Sequence, residues 1–262
     1  MNIQSPSKGD SPSTPSISVL TVTFNAADEL PGLVDSLRAQ TDHNFEWVVV
    51  DGASSDATVD LLKASEDVLD TWVSEPDFGI YDALNKAVRL SNGRYYLVLG
   101  ADDQLFPEAI EQYRRHAAIS GAELVTAHIV QDSRTCSGRS GQSWWHGMFA
   151  YISGHSVGCL IRRSLHDRFG YYSRRFPVAA DMYFIKSVCK ASDTRIHRAD
   201  FVAGEHGKAG ISNADKAATF CDCFRVQLET ERCKPLQILI FLLKLIWRSR
   251  ALIRSASMRS PR

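Results

Sequence analysis

The sequence lacks an excess of charge of either sign, because 30 Lys and Arg residues balance 30 Asp and Glu residues among its 262 positions. A neutral net charge gives no bulk electrostatic indication of a nucleic-acid binder, so we do not expect a nucleic-acid partner, and any such argument would have to rest on local charge. The six cysteines form no CxxC pair and show no regular spacing, so neither a zinc site nor a disulfide framework is predicted. We therefore expect reduced cysteines in an intracellular protein.

The sequence also lacks a segment that predicts export or membrane crossing. Residues 1–16 are rich in Ser and Pro and have no apolar core, which predicts a disordered tail and not a signal peptide. The only long apolar run, residues 235–247, is interrupted by Gln237 and Lys244 and is shorter than the roughly 20 residues that span a bilayer. We expect a cytoplasmic protein without a transmembrane helix.

Strand and helix patterns alternate through the first half of the chain. Short runs rich in branched and aromatic residues predict strands at 17–24, 45–52, near 69–75 and at 95–99. Apolar residues at helical spacing, with capping residues ahead of them or Gly after them, predict helices within 26–40, from about Asp56, and within 79–93. This alternation predicts an α/β fold with a mostly parallel sheet flanked by helices.

Polar side chains follow three of the predicted strands. Thr23 and Asn25 end the first strand, Asp51 ends the second, and the adjacent Asp102 and Asp103 follow the fourth. Ligands of open α/β sheets bind outside these carboxyl ends, and two neighbouring carboxylates need a compensating partner. Neither GxGxxG nor GxxxxGK(S/T) occurs, so phosphate needs another partner. Mg²⁺ or Mn²⁺ bridging the carboxylates and a diphosphate would satisfy both requirements.

Residues 18–62 and 77–103 resemble the nucleotide-binding half of family 2 glycosyltransferases of GT-A fold. The form GIYDALNK is similar to the branch that builds bacterial exopolysaccharide or lipopolysaccharide repeats. The segments GHSVGCLIRRSL and VAADMYF extend this resemblance to about Phe184. Two positions depart from the pattern: Gly100 stands where many relatives have the first Asp of DxDD, and Gly52 stands where many have a second Asp. The QxxRW motif of processive relatives is absent, so we expect transfer of one sugar per encounter.

The resemblance implies inverting, metal-dependent transfer from a nucleotide-sugar donor to a glycan or lipid-linked acceptor in cell-surface polysaccharide biosynthesis. It implies that Asp103 is the stronger ligand of Mg²⁺ or Mn²⁺ and that Asp102 faces the ribose or the metal. It makes Asp181 the general base. It assigns His155 a possible role at the acceptor or the site. The implied donor-binding residues are Thr23, Asn25, Asp51, Asn85, Lys86 and Asp102.

Other interpretations of the same residues stay open. Asp51 is compatible with a turn, Asp102 and Asp103 with a solvated turn before a helix near Pro107, and Asp181 with the N-cap of a helix over 182–188. His155 and His206 are each compatible with a structural hydrogen bond. The aromatic residues of 143–155 suit a sugar platform or a core equally. Among functions, the alternative is a non-catalytic sugar-nucleotide or polysaccharide-binding module on the same fold. A nucleotidyltransferase or an aspartate-nucleophile phosphatase is disfavoured because the motifs these enzymes need are missing.

The C-terminal residues 235–262 predict a basic amphipathic helix. Gln237, Lys244 and Arg248 fall on one narrow stripe, apolar residues occupy the rest, and no acidic residue follows Glu231. This pattern predicts an enzyme at the inner face of the cytoplasmic membrane, on an anionic surface. The alternative is a helix packed on the catalytic domain or on a second subunit. We expect a catalytic domain over 17–230, divided into a donor half (17–115) and an acceptor half (116–230), and the sequence sets no oligomeric state.

Overall fold

The computed structural model describes residues 17–139, 141–207 and 216–257, with side chains described as far as Trp247. The predicted tail over residues 1–16 and the last arginines, Arg259 and Arg262, lie outside the described residues. All six cysteines are free. Among the helices of the described ranges, none is long and apolar enough to cross a bilayer.

The first half of the chain alternates strands and helices in the predicted order. The first predicted helix begins four residues late, because the amides of Ala26 and Ala27 instead donate to Thr58 Oγ1 (2.8 Å) and Asp56 Oδ2 (3.1 Å). The third ends at Leu90 and not at Gly93, with Ser91 in an extended conformation. The elements are β1 (Ile17–Thr23), α1 (Leu30–Arg38), β2 (Phe45–Asp51), α2 (Thr58–Lys63), β3 (Thr71–Ser74), α3 (Ile80–Leu90) and β4 (Tyr95–Leu99).

The second half adds shorter strands and the helices that cover the site. One 3-10 turn (Gly147–Ala150) separates α5 from β8. The elements are β5 (Gln104–Leu105), α4 (Ala109–Ser120), β6 (Leu124–Gln131), β7 (Arg134–Cys136), α5 (Ser143–His146), β8 (Cys159–Arg162), α6 (Leu165–Phe169), α7 (Ala180–Lys190), β9 (Ile196–Glu205), α8 (Lys216–Thr230) and α9 (Lys234–Ser257).

These nine strands form one mixed sheet in the order β3-β2-β1-β4-β8-β6-β9-β5, with β7 paired to β6. The strands β3, β2, β1 and β4 are mutually parallel, and Thr23 at the end of β1 is level with Asp51 at the end of β2. Two apolar cores lie against the faces of the sheet. Burying an apolar side chain such as Leu33 or Leu84 stabilises the fold by about 1.5–3 kcal/mol.

Gly93 lets β4 begin close beside β1. A Cβ atom on Gly93 would lie 2.7 Å from the backbone nitrogen of Ser18 and 2.7 Å from the carbonyl oxygen of Tyr95, so a larger residue would push the strands apart. The Gly93 amide donates to Ser18 Oγ (2.9 Å) and to the buried carboxylate of Glu46 (3.1 Å). These contacts fix the register that brings the ends of β1, β2 and β4 to one edge.

The interpretation of Asp181 as an N-cap is wrong, and the structure defines the orientation of α9, which the sequence left open. Helix α7 begins at Ala180 with Ala179 as its N-cap, so Asp181 lies in the first helical turn and does not cap the helix. On α9, Gln237 and Ile240 are buried, whereas Leu239 and Leu242 are exposed. The stripe that includes Gln237 therefore faces the protein, and many of the apolar residues face outward.

Candidate active site

The end of β2 holds a fully buried carboxylate, that of Asp51. Its oxygens accept hydrogen bonds from Thr23 Oγ1 (3.0 Å), from the backbone amide and hydroxyl of Ser54 (2.9 and 2.5 Å), and from Ser74 Oγ (2.6 Å). A buried charge is tolerated when it is hydrogen-bonded in this way. The three donating side chains come from the ends of β1 and β3 and from the loop after β2, so Asp51 ties these segments together.

Asn25 extends this cluster onto the surface. Its backbone is left-handed at φ +48°, a conformation that Asn tolerates better than most residues. Its backbone N–H donates to Ser54 Oγ at 2.7 Å, and its side-chain oxygen accepts from the Ser55 backbone amide at 2.8 Å. The structure thus brings the predicted residues Thr23, Asn25 and Asp51 together around one loop.

Gly52 is one of the two positions that depart from the family pattern. A Cβ atom there would lie 2.7 Å from Asp77 Oδ2 and 3.4 Å from Phe24. The Asp77 carboxylate, which also accepts from the Gly79 amide at 2.7 Å, therefore occupies space beside Asp51. Phe24 and Phe78 are exposed aromatic rings, at 67% and 85% of their surface, next to this acidic pair.

The carboxylate of Asp103 is enclosed. Its Oδ2 accepts from the Gly100 amide (2.6 Å) and the Ser156 hydroxyl, and its Oδ1 accepts from His206 Nδ1 and the Gly207 amide, both at 2.8 Å. Asp103 is fully buried. The hydrogen bond to Asp103 raises the pKa of His206 above its ordinary value, which favours the charged imidazolium beside the carboxylate.

This enclosure differs from the expectation that Asp103 is the stronger metal ligand. Two donors at each oxygen saturate much of the acceptor capacity that a cation would use. The adjacent Asp102 is only half-buried. A Cβ atom on Gly100 would lie 2.9 Å from Asp102 Oδ1, and one on Gly207 would lie 2.1 Å from its Cγ. The two glycines thus leave space around the Asp102 carboxylate that other residues would fill.

The carboxylate of Asp102 is a suitable ligand for a magnesium or manganese ion that also binds a diphosphate. Within the ranges the structure describes, no three His, Cys, Asp or Glu side chains are grouped to hold a metal by themselves. Mg²⁺ does not require such a cage, because it is commonly bound by one or two carboxylates together with substrate phosphates and water. The half-buried carboxylate of Asp102 can supply one such ligand.

Asn85 and Lys86 lie on α3 but have different surroundings. Asn85 is buried, donates to the Tyr172 carbonyl oxygen at 2.8 Å and accepts from the Tyr172 amide at 2.9 Å. The ammonium group of Lys86 lies 2.8 Å from Glu75 and 3.7 Å from Asp82. Both side chains are therefore engaged by protein groups, Asn85 as a clamp on the loop before α7 and Lys86 in an ion pair.

Asp181 lies in the first turn of α7 and is half-buried. Its Oδ1 accepts a 2.7 Å hydrogen bond from the phenol of Tyr81 in the first turn of α3. The ring of Tyr81 stacks on that of Tyr172 at 5.8 Å. Because α3 follows β3 at the carboxyl edge of the sheet, this contact brings Asp181 to the side of the molecule that holds Asp51 and Asp102.

A buried chain of hydrogen bonds runs from His155 through Tyr172 and Tyr96 to His166. His155 Nε2 lies 2.8 Å from the Tyr172 hydroxyl, which lies 2.7 Å from the Tyr96 hydroxyl, which in turn lies 2.8 Å from His166 Nε2. His166 Nδ1 lies 3.0 Å from the carbonyl oxygen of Gly170. A carbonyl oxygen only accepts, so His166 Nδ1 carries a proton.

The direction of this chain follows from the protonation of His166. Burial lowers the pKa of His166 to about 4, so its Nε2 is an acceptor at neutral pH. Tyr96 must then donate to His166, Tyr172 to Tyr96, and His155 Nε2 to Tyr172. Burial also lowers the pKa of His155, although the negative charge of Asp181 opposes this effect. The neutral His155 therefore has an unprotonated Nδ1.

Several residues of the site were given no role from the sequence. Tyr81 stands four residues before Asn85, so the two side chains share a face of α3, and that spacing was a usable signal. Ser156 follows directly after His155, and Asp77 lies close to β3. Ser156 contacts Asp103, and Asp77 lies beside Gly52. Each pair is far apart in sequence, so no local pattern indicated these contacts.

Comparisons with known proteins agree with this geometry. The family model for glycosyl transferase family 2 matches residues 18–190. A PGL/p-HBAD biosynthesis glycosyltransferase from Mycobacterium bovis is 33% identical over 183 residues, covering 65% of this chain and 68% of the relative. An uncharacterized glycosyltransferase of Mycobacterium tuberculosis is 28% identical over 240 residues, covering 82% of this chain and 84% of the relative.

Two solved structures share the fold. S. aureus TarS 1-349 in complex with UDP-GlcNAc has a TM-score of 0.66 at 17% identity, covering 86% of this chain and 70% of that chain. The mannosyltransferase PcManGT of Pyrobaculum calidifontis, in complex with GDP-Man and Mn²⁺, has a TM-score of 0.65 at 18% identity, covering 95% of this chain and 77% of that chain. These likenesses, together with the sheet order, confirm the predicted GT-A fold. The chain therefore belongs to glycosyltransferase family 2, and it is a glycosyltransferase.

Proposed function

We propose that this enzyme transfers a single sugar from a nucleotide-sugar donor to a hydroxyl of a glycan or lipid-linked acceptor, with inversion, in cell-surface polysaccharide biosynthesis. The observation that carries the proposal is the hydrogen bond from Tyr81 to Asp181. It orients a half-buried carboxylate on the side of the molecule where the polar ends of β1, β2 and β4 meet. An oriented carboxylate beside a nucleotide-binding edge is the arrangement that base-assisted sugar transfer requires.

The relatives support the donor class. TarS binds UDP and UDP-GlcNAc, and PcManGT binds GDP-Man with Mn²⁺. A relative from Bacillus subtilis, TuaG, carries a name that refers to teichuronic acid biosynthesis. In this chain we assign the nucleoside pocket to Thr23, Asn25 and Asp51. Donor contacts of Asn85 and Lys86 stay predictions, and Lys86 would have to leave Glu75 to reach a phosphate.

In the proposed reaction, the carboxylate of Asp181 accepts the proton of the acceptor hydroxyl. The acceptor oxygen attacks the anomeric carbon while the bond from that carbon to the nucleoside diphosphate breaks, so one displacement inverts the configuration. Tyr81 keeps the carboxylate in one orientation through its hydrogen bond. The unprotonated Nδ1 of His155 can accept a hydrogen bond. We therefore assign His155 the role of positioning hydroxyl groups of the acceptor substrate.

We assign the metal position to Asp102, with Asp103 holding the local backbone. A bound Mg²⁺ or Mn²⁺ supplies Lewis-acid stabilisation of the departing diphosphate. What the chain itself contributes is the orientation of Asp102, which follows directly from the anchoring of Asp103. The hydrogen bonds of Asp103 to Ser156, His206 and two backbone amides provide that anchoring.

We further propose that the enzyme lies at the inner surface of the cytoplasmic membrane through α9. The support is the row of exposed apolar residues on this helix, which is unusual for a soluble surface, and the basic sequence after Glu231. The exposed row consists of Leu236, Ile238, Leu239, Leu242, Leu243, Leu245, Ile246 and Trp247.

A panel of nucleotides tests the proposed function. UDP, GDP, UDP-GlcNAc and GDP-Man are each added with and without Mn²⁺, and the unfolding temperature is measured, because a ligand that binds only the native state raises it. We expect one nucleotide class to raise the temperature, and to do so more with Mn²⁺. Release of free sugar from the stabilising donor then separates an enzyme from a non-catalytic binding module. A protein that binds a donor and releases no sugar, alone or with acceptors, would favour the module.

A further inference from the structure

A large apolar groove runs along the inner side of α9. It has a volume of about 1440 Å³ and lies between α9, α8 and the segment that holds α5 and the 3-10 turn. Aromatic rings make up much of its lining, among them Trp145, Phe220, Phe224, Phe241 and Trp247. Pockets for small ligands usually enclose about 300–1,000 Å³, so this groove has room for a chain longer than one sugar.

The polar groups of the groove favour an anionic ligand. Among the described residues, its lining includes Lys216, Lys244 and His146 and no acidic residue. The ammonium group of Lys244 lies 4.8 Å from the centre of the Trp145 ring. Gln237 also lines the groove and is 2% exposed, and its Nε2 has no hydrogen-bond partner among the residues that the structure describes. An unpaired buried donor is costly, and an oxygen of a ligand would satisfy it.

The inner end of the groove adjoins the active site. Met182, which lines the groove, is the residue after Asp181. Gly147 lines it as well, and a Cβ atom there would lie 2.7 Å from Met182 Cε. Cys223 of α8 also lines the groove and packs against the apolar core that contains Tyr81, the partner of Asp181. A ligand that fills the groove would therefore end beside the proposed base.

We propose that this groove binds the apolar chain of an anionic amphiphilic acceptor, such as a lipid phosphate, with its head group toward Asp181. The inference rests on the proposed function, because the head group is what carries the hydroxyl to be glycosylated. A flat bilayer surface fits the outer face of α9 but does not enter a groove. The positive charge of two lysines and the unpaired amide donor of Gln237 match a phosphate, whereas a purely apolar helix from a second copy would leave the Gln237 donor without an acceptor.

The full-length protein tests this with soluble monomeric probes. Dodecyl phosphate, butyl phosphate and dodecyltrimethylammonium are titrated below their critical micelle concentrations, and binding is followed by the fluorescence of the groove tryptophans. Each buried methylene adds roughly fourfold in affinity, so we expect dodecyl phosphate to bind at least about a hundredfold more tightly than butyl phosphate. We expect the cationic probe to bind at least about tenfold more weakly than dodecyl phosphate.

Two neighbouring leucines on α9 provide matched variants. Leu243 lines the groove and Leu242 does not, and they are 53% and 47% exposed, so neither substitution disturbs the core. Leu243→Glu is expected to weaken dodecyl phosphate at least about tenfold, because it places a charge in the path of the chain. Leu242→Glu is expected to change the affinity by less than about twofold, because a substitution away from the groove is usually near neutral.

The outcomes separate this inference from the proposed function. Equal effects of the two variants, or affinity independent of chain length, would overturn the groove assignment. A change of sedimentation coefficient in Leu243→Glu from dimer to monomer would assign the groove to a second copy instead, and so would also overturn it. Nucleotide binding in the thermal-shift panel should be unchanged in both variants. If the wild type binds nucleotide but does not bind dodecyl phosphate, only the groove assignment is refuted, whereas probe binding by a wild type that binds no nucleotide refutes the proposed transferase chemistry.

Discussion

Tyr81 and Asp181 stand 100 positions apart in the chain, yet the phenol of Tyr81 donates a 2.7 Å hydrogen bond to the carboxylate of Asp181. The contact joins the first turn of α3 to the first turn of α7. Each helix is anchored elsewhere: α3 packs against β1 and β2, and α7 packs against α8. The bond therefore links the part of the chain that carries Asp51 and Asp102 to the part that carries Asp181, the proposed base.

Removing the carboxylate and removing its partner should have different consequences. Asp181→Asn should lower kcat by about a hundredfold or more, as expected for loss of a general base. Tyr81→Phe keeps the base but loses its orienting bond, so we expect a smaller loss in kcat, about tenfold, with the donor KM unchanged. Steady-state kinetics on both variants check this order. Wild-type turnover in Asp181→Asn would remove Asp181 from the mechanism.

The adjacent aspartates should separate binding from stability. Asp102→Asn should abolish the effect of Mn²⁺ on nucleotide binding and should cost less stability than a change at Asp103, because Asp102 is only half-buried. Asp103→Asn should instead cost about 3 kcal/mol of stability, because buried donors from His206 and two backbone amides lose a charged acceptor. Urea unfolding and nucleotide titration measure the two effects. Full stability in Asp103→Asn, with Mn²⁺ dependence lost, would return the role of metal ligand to Asp103.

Acid should destabilise the protein partly through His166. Its pKa is about 4 when folded and 6.5 ordinarily, so the unfolded chain binds a proton that the folded protein does not. Stability should therefore be fully present above pH 6.5, fall as the pH drops toward 4, and lose no more from this group below that. At about 1.4 kcal/mol per pKa unit the loss approaches about 3 kcal/mol.

The His166→Gln variant is the control for this pH effect. Other carboxylates and histidines also titrate between pH 7 and pH 4, so the informative quantity is the difference between the two proteins. Urea unfolding at several pH values should show a shallower decline for the variant than for the wild type. Parallel curves would mean that His166 takes up its proton as readily in the folded protein as in the unfolded chain.

The outer face of α9 should bind anionic vesicles. Leu239 and Leu242 are exposed and lie away from the groove, so the double variant Leu239→Glu/Leu242→Glu should lower partition at least about tenfold by adding negative charge and removing apolar contact. Co-sedimentation with vesicles of anionic and of neutral lipid measures this. Equal partition of the wild type and the double variant would contradict a membrane contact through the face of α9 that carries Leu239 and Leu242.

Local patterns were sufficient to predict β1 to β4, the three helices between them and the polar residues at the strand ends, but not the strands β5 to β9. Alternation of apolar runs with helical spacing depends on residues that are close in sequence, and the carboxyl ends of parallel strands necessarily meet at one edge. Thr23, Asn25 and Asp51 accordingly form one hydrogen-bonded group. Helix ends were less well predicted, since Ala26 and Ala27 donate to a loop about 30 residues away.

The sequence by itself determined the α/β class, the family and the set of polar residues that form the site, because these depend on residue types in a fixed order. Only the tertiary structure decided how those residues are used. The burial of Asp103 by Ser156 and His206, the clamp of Asn85 on Tyr172 and the outward apolar face of α9 all depend on segments brought together from distant parts of the chain. Solvent exposure and the partners of a charge are properties of that packing, and no local spacing encodes them.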